Sequence, residues 1–331
     1  MTLERRLVSI VISNYNYGRY LREAIDSALA QTYPAIEVIV VDDGSTDNSR
    51  EVIAAYGDRV VAVFKENEGL ISAINAGYAR SRGDIVCFMD SDDVMLPRRV
   101  ERAVALLDAY PQVGWVRSKV RHVDENLQPI GLEGPRGSTH LVPPNPYLYL
   151  ERHPVVSNSY PATRRTVASE IFPMPLPPTK GNADAVFNVL LGTVDKPVHG
   201  YFLDEVLYLY RRHQAQQHSS YNDAVGALRE ALEVGRLTSS IWSQRTGVKR
   251  AGTHVYKHSL IVSIMEGQPL WGLKRWSDFV KGLGEGAALF PRGPRLALRQ
   301  TLAVSSAFLT PRIWLKRWRP GGGYAPNTTA S

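Results

Sequence analysis

Between Leu7 and Val123, short apolar runs alternate with stretches of helical period, and this alternation restricts the chain more than any single motif. Leu7 to Ile12 reads as a buried strand, followed by Ile36 to Val41, Val60 to Phe64, Ile85 to Met89 and Trp115 to Val123. The first intervening stretch, Arg19 to Gln31, puts Tyr20, Leu21, Ala24, Ile25, Ala28 and Leu29 on one stripe. Ser45 and Thr46 offer N-caps for a helix reaching about Tyr56, Leu70 to Ser81 reads as a third helix, and Pro97 suits the first turn of a fourth ending near Tyr110. Apolar strands joined by helices of this length predict an α/β fold. Right-handed crossovers would give a mainly parallel sheet covered on both faces. With 331 residues, 44% of them hydrophobic, the chain has material for a sizeable core.

The pattern weakens from Asn126 to Pro161, where Pro and Gly are frequent, and Pro173 to Pro178 is a second Pro-rich stretch. Asp184 to Leu191 is again helical in period, Tyr201 to Tyr210 is strand-like, and the chain beyond Asn222 reads as mainly helical. A single cysteine, Cys87, excludes an internal disulfide framework and is expected to pack as a small apolar residue. Met1 to Arg6 runs straight into the first strand with no signal-peptide pattern, and no window of about 20 uncharged apolar residues offers a spanning helix. A cytoplasmic protein is expected. The net charge of +7 is unevenly placed: Arg250 to Ser331 holds 12 Lys and Arg against 3 Asp and Glu, the rest 27 against 29.

Two acidic strand ends carry the chemistry. The run Ile85 to Met89 stops at Asp90-Ser91-Asp92-Asp93, three carboxylates within four residues. Such neighbours repel unless a cation sits among them, and a hard divalent ion held by Asp90 and Asp92 could grip a diphosphate. An acidic surface turn is the bland alternative. Asp42-Asp43-Gly44-Ser45 follows the second strand, earlier in the same sheet, so both acidic ends face the same edge. Open α/β sheets bind ligands there, and these carboxylates could accept from ribose hydroxyls or a base N–H, or simply form a turn. There is no phosphate-cradling G-x-x-x-x-G-K-[ST], and Gly282 to Gly286 does not match G-x-G-x-x-G. His254 and His258, four apart, lack the companions of a zinc motif and read as ordinary helix residues.

Taken together, several segments in order resemble the family-2 glycosyltransferases, inverting enzymes of the GT-A fold that use nucleotide-sugar donors. They are Ser13-Asn14-Tyr15-Asn16, Ala28 to Tyr33, Val41 to Asp47, Asn67-Glu68-Gly69, Asn75-Ala76-Gly77, Gly83-Asp84, and Phe88 to Asp93 followed by Pro97. The likeness covers roughly residues 7 to 215. It implies that Ser13 and Tyr15 line a nucleobase pocket, that Asp43 accepts the base N–H with Asp42 near the ribose, and that Gly69 and Asn75 pass close to the nucleotide. It makes Asp90-Ser91-Asp92 the acidic metal motif. Asp92 is then the more direct ligand, and Asp90, with Ser91, lies on the ribose side. Ile74 departs from the pattern, where many members have Arg. Lys180 to Phe187 resembles the segment bearing the catalytic base, here Asp184, because Ala183 replaces the other member of the usual acidic pair. Asp184 could instead cap its helix. Tyr210-Arg211-Arg212-His213 resembles a motif bearing on the diphosphate, with Arg211 at phosphate oxygens and His213 completing a site for a divalent metal such as Mn²⁺ or Mg²⁺.

The resemblance therefore implies a donor that is a UDP-sugar or another NDP-sugar, and a carbohydrate or lipid-linked glycan acceptor in surface-polysaccharide or glycoconjugate assembly. It requires residues 43, 92 and 184 to meet around one cleft. Residues 1–220 would form the GT-A catalytic domain, with a nucleotide-binding half at 1–123 and an acceptor and catalytic-base half at 124–220. Residues 221–320 would form a basic, Trp-rich helical extension, and 321–331 a disordered tail. Trp271, Trp276, Trp314 and Trp318 interleave with the basic residues of this region, a pattern compatible with an anionic membrane surface or with a helical cap on the core. No nucleic-acid-binding module is recognisable. The alternatives are a sugar nucleotidyltransferase, which would need a Gly-rich basic loop where Ser13 to Gly18 stands, and a binding module that has lost activity.

Overall fold

The computed structural model describes residues 5–133, 140–142, 161–176, 183–196, 198–213, 224–247 and 280–281. They fall into two compact units. The first holds the described residues up to 176 and from 190 to 213; the second holds 183–189 and those from 224 onward.

The first unit opens with strand β1 (Val8–Asn14), helix α1 (Gly18–Leu29), strand β2 (Ile36–Asp43) and helix α2 (Ser49–Ala54). Strand β3 (Val61–Lys65), helix α3 (Leu70–Arg80), strand β4 (Ile85–Asp90), the short strand β5 (Val94–Met95), helix α4 (Arg99–Ala109) and strand β6 (Val113–Val123) follow. The expected α/β alternation is therefore present. The expected helix from Ser45 begins four residues later, at Ser49. Asp42 Oδ2 accepts from the Ser45 N–H at 3.2 Å and Asn16 Oδ1 from the Thr46 N–H at 2.8 Å, so this segment serves as a linking turn.

Among its described residues the Pro- and Gly-rich stretch contains β7 (Pro129–Glu133) and β8 (His140–Val142), and β9 (Ala162–Arg164) and helix α5 (Arg165–Ile171) come after it. Strand β10 (His199–Arg211) closes the first unit. Among the described residues these strands form one sheet in the order β3-β2-β1-β4-β9-β6-β10-β5, with β7 paired to β6 and β8 to β10. The β3-β2-β1-β4 part is wholly parallel, whereas β9 is antiparallel to both β4 and β6 and so joins it to the parallel pair β6 and β10.

Period-2 alternation divides the sheet into two apolar faces. Val8, Ile10 and Ile12 of β1 join Val38 and Val40 of β2 and Ile85, Cys87 and Met89 of β4 in a core with Leu21, Ala24, Ile25 and Ala28 of α1, Ile53 of α2 and Val100 and Val104 of α4. On the opposite face Phe88 packs on Phe172, whose ring stacks on Tyr78 of α3 at 4.4 Å. Each fully buried aliphatic or Phe side chain stabilises the fold by roughly 1.5–3 kcal/mol.

In the second unit lie helix α7 (Ala224–Thr246) and, up to Val189, helix α6 (Ala183–Gly192). No helix among the described residues is long and apolar enough to cross a membrane. His254, His258, Trp271, Trp276, Trp314, Trp318 and the tail from 321 lie outside the described residues.

Candidate functional site

Parallel register brings the acidic strand ends to one rim. Asn14 of β1 lies opposite Asp42 of β2, Ser13 lies opposite Asp90 of β4, and Asp43 lies opposite Lys65 of β3. Ser13 is buried and Tyr15, just beyond β1, is half-buried. The two motifs expected to share an edge do share it.

The two carboxylates after β2 are tied into the scaffold. Asp42 is fully buried, accepts from Asn14 Nδ2 at 3.0 Å and the Ser45 N–H, and pairs with Arg50 at 3.4 Å. Asp43 accepts from Lys65 Nζ at 2.7 Å and from the backbone N–H groups of Glu68 at 3.1 Å and Gly69 at 2.8 Å. These bonds hold the turn into α3, where Gly69 takes φ 95°, a conformation most side chains avoid. Desolvation lowers the Lys65 pKa, but hydrogen bonds to Asp43 and Glu68 outweigh it and leave it above its ordinary value. Sequence reasoning missed Lys65; its signal was a lone cation at the end of β3, in register with Asp43. Gly44, Arg50, Phe64, Lys65, Glu66 and Asn67 line an open groove of about 490 Å³ beside this end of the rim. The Asn75 side chain makes a two-bond clamp with the backbone of Met174, each bond 2.8 Å, and thereby ties α3 to the segment after α5.

The acidic turn after β4 is a compact cluster. Carboxylate oxygens of Asp90, Asp92 and Asp93 come within 4.8 Å of one another. Asp93 faces inward: it is fully buried and accepts from Tyr208 Oη at 2.8 Å and from the Arg211 N–H at 2.9 Å. Burial, then the adjacent charges of Asp92 and Asp90, push its pKa well above the ordinary carboxylate range. Asp90 is half-buried, and Asp92 is met by His213 Nε2 at 3.0 Å. Ser91 Oγ is buried with no hydrogen-bond partner among the described residues. Hard carboxylate oxygens with one imidazole form a donor set suited to Mn²⁺ or Mg²⁺, so the residues present fit a divalent ion.

Behind this turn stands an aromatic and cationic support that sequence reasoning also missed. The His213 ring lies 4.6 Å from the Tyr20 ring and meets Tyr17 edge-on at 5.4 Å. The Arg211 guanidinium, expected at phosphate oxygens, is buried over Tyr20 at 4.7 Å and bonded to Asp92 O, Glu125 O and the Glu23 carboxylate. Helical spacing places Tyr20 on the core stripe alone, and nothing in that spacing marks its contact with His213. Asp184 is half-buried in the first turn of α6, in the second unit.

A mainly parallel curled sheet flanked by helices, with carboxylates clustered along the strand ends, defines a protein of the GT-A, nucleotide-diphospho-sugar transferase-like class. The chain belongs to glycosyltransferase family 2: the description "Glycosyl transferase family 2" fits residues 9–172. An uncharacterised glycosyltransferase of Nostoc sp. is 34% identical over 244 residues, 69% of this chain and 71% of that protein. One from Rickettsia prowazekii is 46% identical over 102 residues, 31% of this chain and only 32% of that protein's length. Among solved structures, residues 1–349 of S. aureus TarS in complex with UDP-GlcNAc superpose with a TM-score of 0.60 at 17% identity, covering 95% of this chain and 93% of that one.

Proposed function

We propose that this chain is an inverting, metal-dependent glycosyltransferase. It moves a sugar from a nucleoside-diphosphate donor to a hydroxyl of a carbohydrate or lipid-linked glycan, in surface-polysaccharide or glycoconjugate assembly at the cytoplasmic side of a membrane. The observation that carries this is the pairing of the Asp90, Asp92, Asp93 cluster with His213, on the same strand-end rim as Asp43. UDP is the preferred nucleotide because the similarly folded TarS was crystallised with UDP-GlcNAc.

Ser13 and Tyr15 form the nucleobase pocket. Asp43 has about four lone-pair sites and meets three protein donors, which leaves one for a base N–H. Asp42 and Asp90, with Ser91, stand toward the ribose, and Gly69 and Asn75 shape the passage beside the nucleotide. Asp92 and His213, with Asp90 alongside, would hold the divalent ion, which offsets negative charge on the departing diphosphate. Asp184 takes the proton of the acceptor hydroxyl as its oxygen bonds to the anomeric carbon from the face opposite the diphosphate. The bond from that carbon to the phosphate oxygen breaks, and its electron pair leaves with the diphosphate.

Transfer and donor binding separate these roles. Asp184→Asn should keep the donor-induced rise in melting temperature and lower turnover by about 10²-fold or more, the contribution of a positioned base. Asp92→Ala should abolish the Mn²⁺-dependent part of that rise. Wild-type turnover in Asp184→Asn would refute the base assignment, and an unchanged Mn²⁺ effect in Asp92→Ala would refute the metal assignment.

A further inference from the structure

We infer that Arg211 is a positioning residue which, together with Glu23, sets the orientation of the metal-binding turn and does not itself ligate the donor diphosphate. This rests on the metal-site reading above. The Arg211 side chain is 2% exposed. Its Nε–H donates to the Asp92 carbonyl at 2.8 Å, Nη1 donates to the Glu125 carbonyl at 2.6 Å, and Nη2 pairs with the Glu23 carboxylate. The same residue's backbone N–H donates to Asp93 Oδ1 at 2.9 Å. One residue of β10 therefore grips the acidic turn twice, by the main chain of Asp92 and by the side chain of Asp93.

The grip extends to helix α1. Glu23 supplies the countercharge, and the Tyr20 ring touches both the guanidinium, 4.7 Å from its centre, and the His213 ring, 4.6 Å away. His213 in turn meets Asp92 Oδ2 at 3.0 Å. Asp92 and His213, two of the three residues expected at the metal, are thus held against a frame that Arg211 and Glu23 complete. A guanidinium that is 2% exposed and engaged by two carbonyls, a carboxylate and a ring face serves the scaffold. Groups that orient ligands in this way typically affect metal affinity 10–100-fold. Lysine cannot replace a fork that bonds in three directions while stacking on a ring.

The test compares wild type, Asp92→Ala, Arg211→Lys and Glu23→Gln. Mn²⁺ alone is titrated and the free ion followed by electron paramagnetic resonance. UDP affinity at saturating Mn²⁺ is measured by calorimetry, and melting temperature reports folding. The expected result is that Arg211→Lys and Glu23→Gln each weaken Mn²⁺ binding by about tenfold or more, with UDP affinity at saturating Mn²⁺ close to wild type. Unchanged Mn²⁺ binding in both variants overturns the inference. So does a loss of UDP affinity confined to Arg211→Lys, which would mark a phosphate ligand. If wild type and Asp92→Ala treat Mn²⁺ alike, the metal site itself fails and the inference with it. A difference between those two, with Glu23→Gln matching wild type, overturns the inference alone. Should Arg211→Lys not fold, Glu23→Gln decides, because it is isosteric and its side chain is half-exposed.

Discussion

Carboxylates that look alike in the sequence do different work on this rim. Asp43 holds the turn into α3 through Lys65 and two backbone N–H groups, Asp92 meets His213, and Asp93 is enclosed by Tyr208 and the Arg211 backbone. Sequence order alone could identify the acidic ends, but not which oxygen faces outward, because that depends on partners distant in the chain: Lys65, Glu68 and Gly69 for Asp43, and residues of β10 and just beyond it for Asp92 and Asp93. Cys87, one residue before Phe88 in β4, gives the clearest test at this scale. It is 1% exposed, and burial pushes its thiol pKa up to about 11 from 9.0. The folded state therefore favours the thiol. Its contribution to stability is complete below pH 9 and is lost as pH rises through about 11. At pH 8, a disulfide-exchange reagent such as DTNB should label less than a tenth of the native protein in the time that labels one thiol per chain in denaturant. Rapid stoichiometric labelling of native protein at pH 8 would contradict the burial of this strand.

At the scale of elements, much of the recognisable family pattern is wiring. Asp47 Oδ2 accepts from the N–H of Gly18, the first residue of α1, and its Oδ1 from that of Ser49, the first residue of α2. Gln31 joins the end of α1 to the Leu96 carbonyl and, through Oε1, accepts from Val100 N–H in α4. The strands and helices of the first half were legible because apolar period survives wherever an element packs on one face. The start of α2 was not, since a Ser or Thr can cap a helix or be captured by a neighbouring side chain, and only the placement of Asn16 and Asp42 decides. Strands β7, β8 and β9 were hidden by their brevity, and β8 and β9 also by pairing with β10 and β4, far away in the sequence, whereas β7 turns straight back onto β6. Gly77 of α3 shows a fold-level reason for a motif residue. A Cβ there would lie 2.2 Å from Val11 Cγ1 and 3.1 Å from Val41 Cγ2, so α3 approaches β1 and β2 more closely than an alanine allows. Gly77→Ala should cost about 1–3 kcal/mol by overpacking, visible as a lower urea midpoint with an unchanged slope. A midpoint at or above that of wild type would show that the helix can shift without loss.

Across the whole molecule, charge is divided more sharply than fold class foretells. The segment from Arg250 to Ser331 carries 12 Lys and Arg against 3 Asp and Glu, with four of the six tryptophans at positions 271, 276, 314 and 318. The remainder is slightly acidic, with 27 against 29. A lipid-linked acceptor would be met at a membrane surface. Near an anionic leaflet each Lys or Arg is worth about 1 kcal/mol, and Trp favours the headgroup level. We propose that this segment draws the enzyme to such a surface. Full-length protein should co-sediment with vesicles containing anionic phospholipid, more weakly at high salt because the attraction is screened, and not with neutral vesicles. A chain ending before Trp271 should lose most of that binding while keeping the Mn²⁺ affinity of the strand-end rim. Equal sedimentation of both forms would place any membrane contact elsewhere. If neither form sediments, the basic segment does not bind anionic lipid, and acceptor delivery does not depend on it.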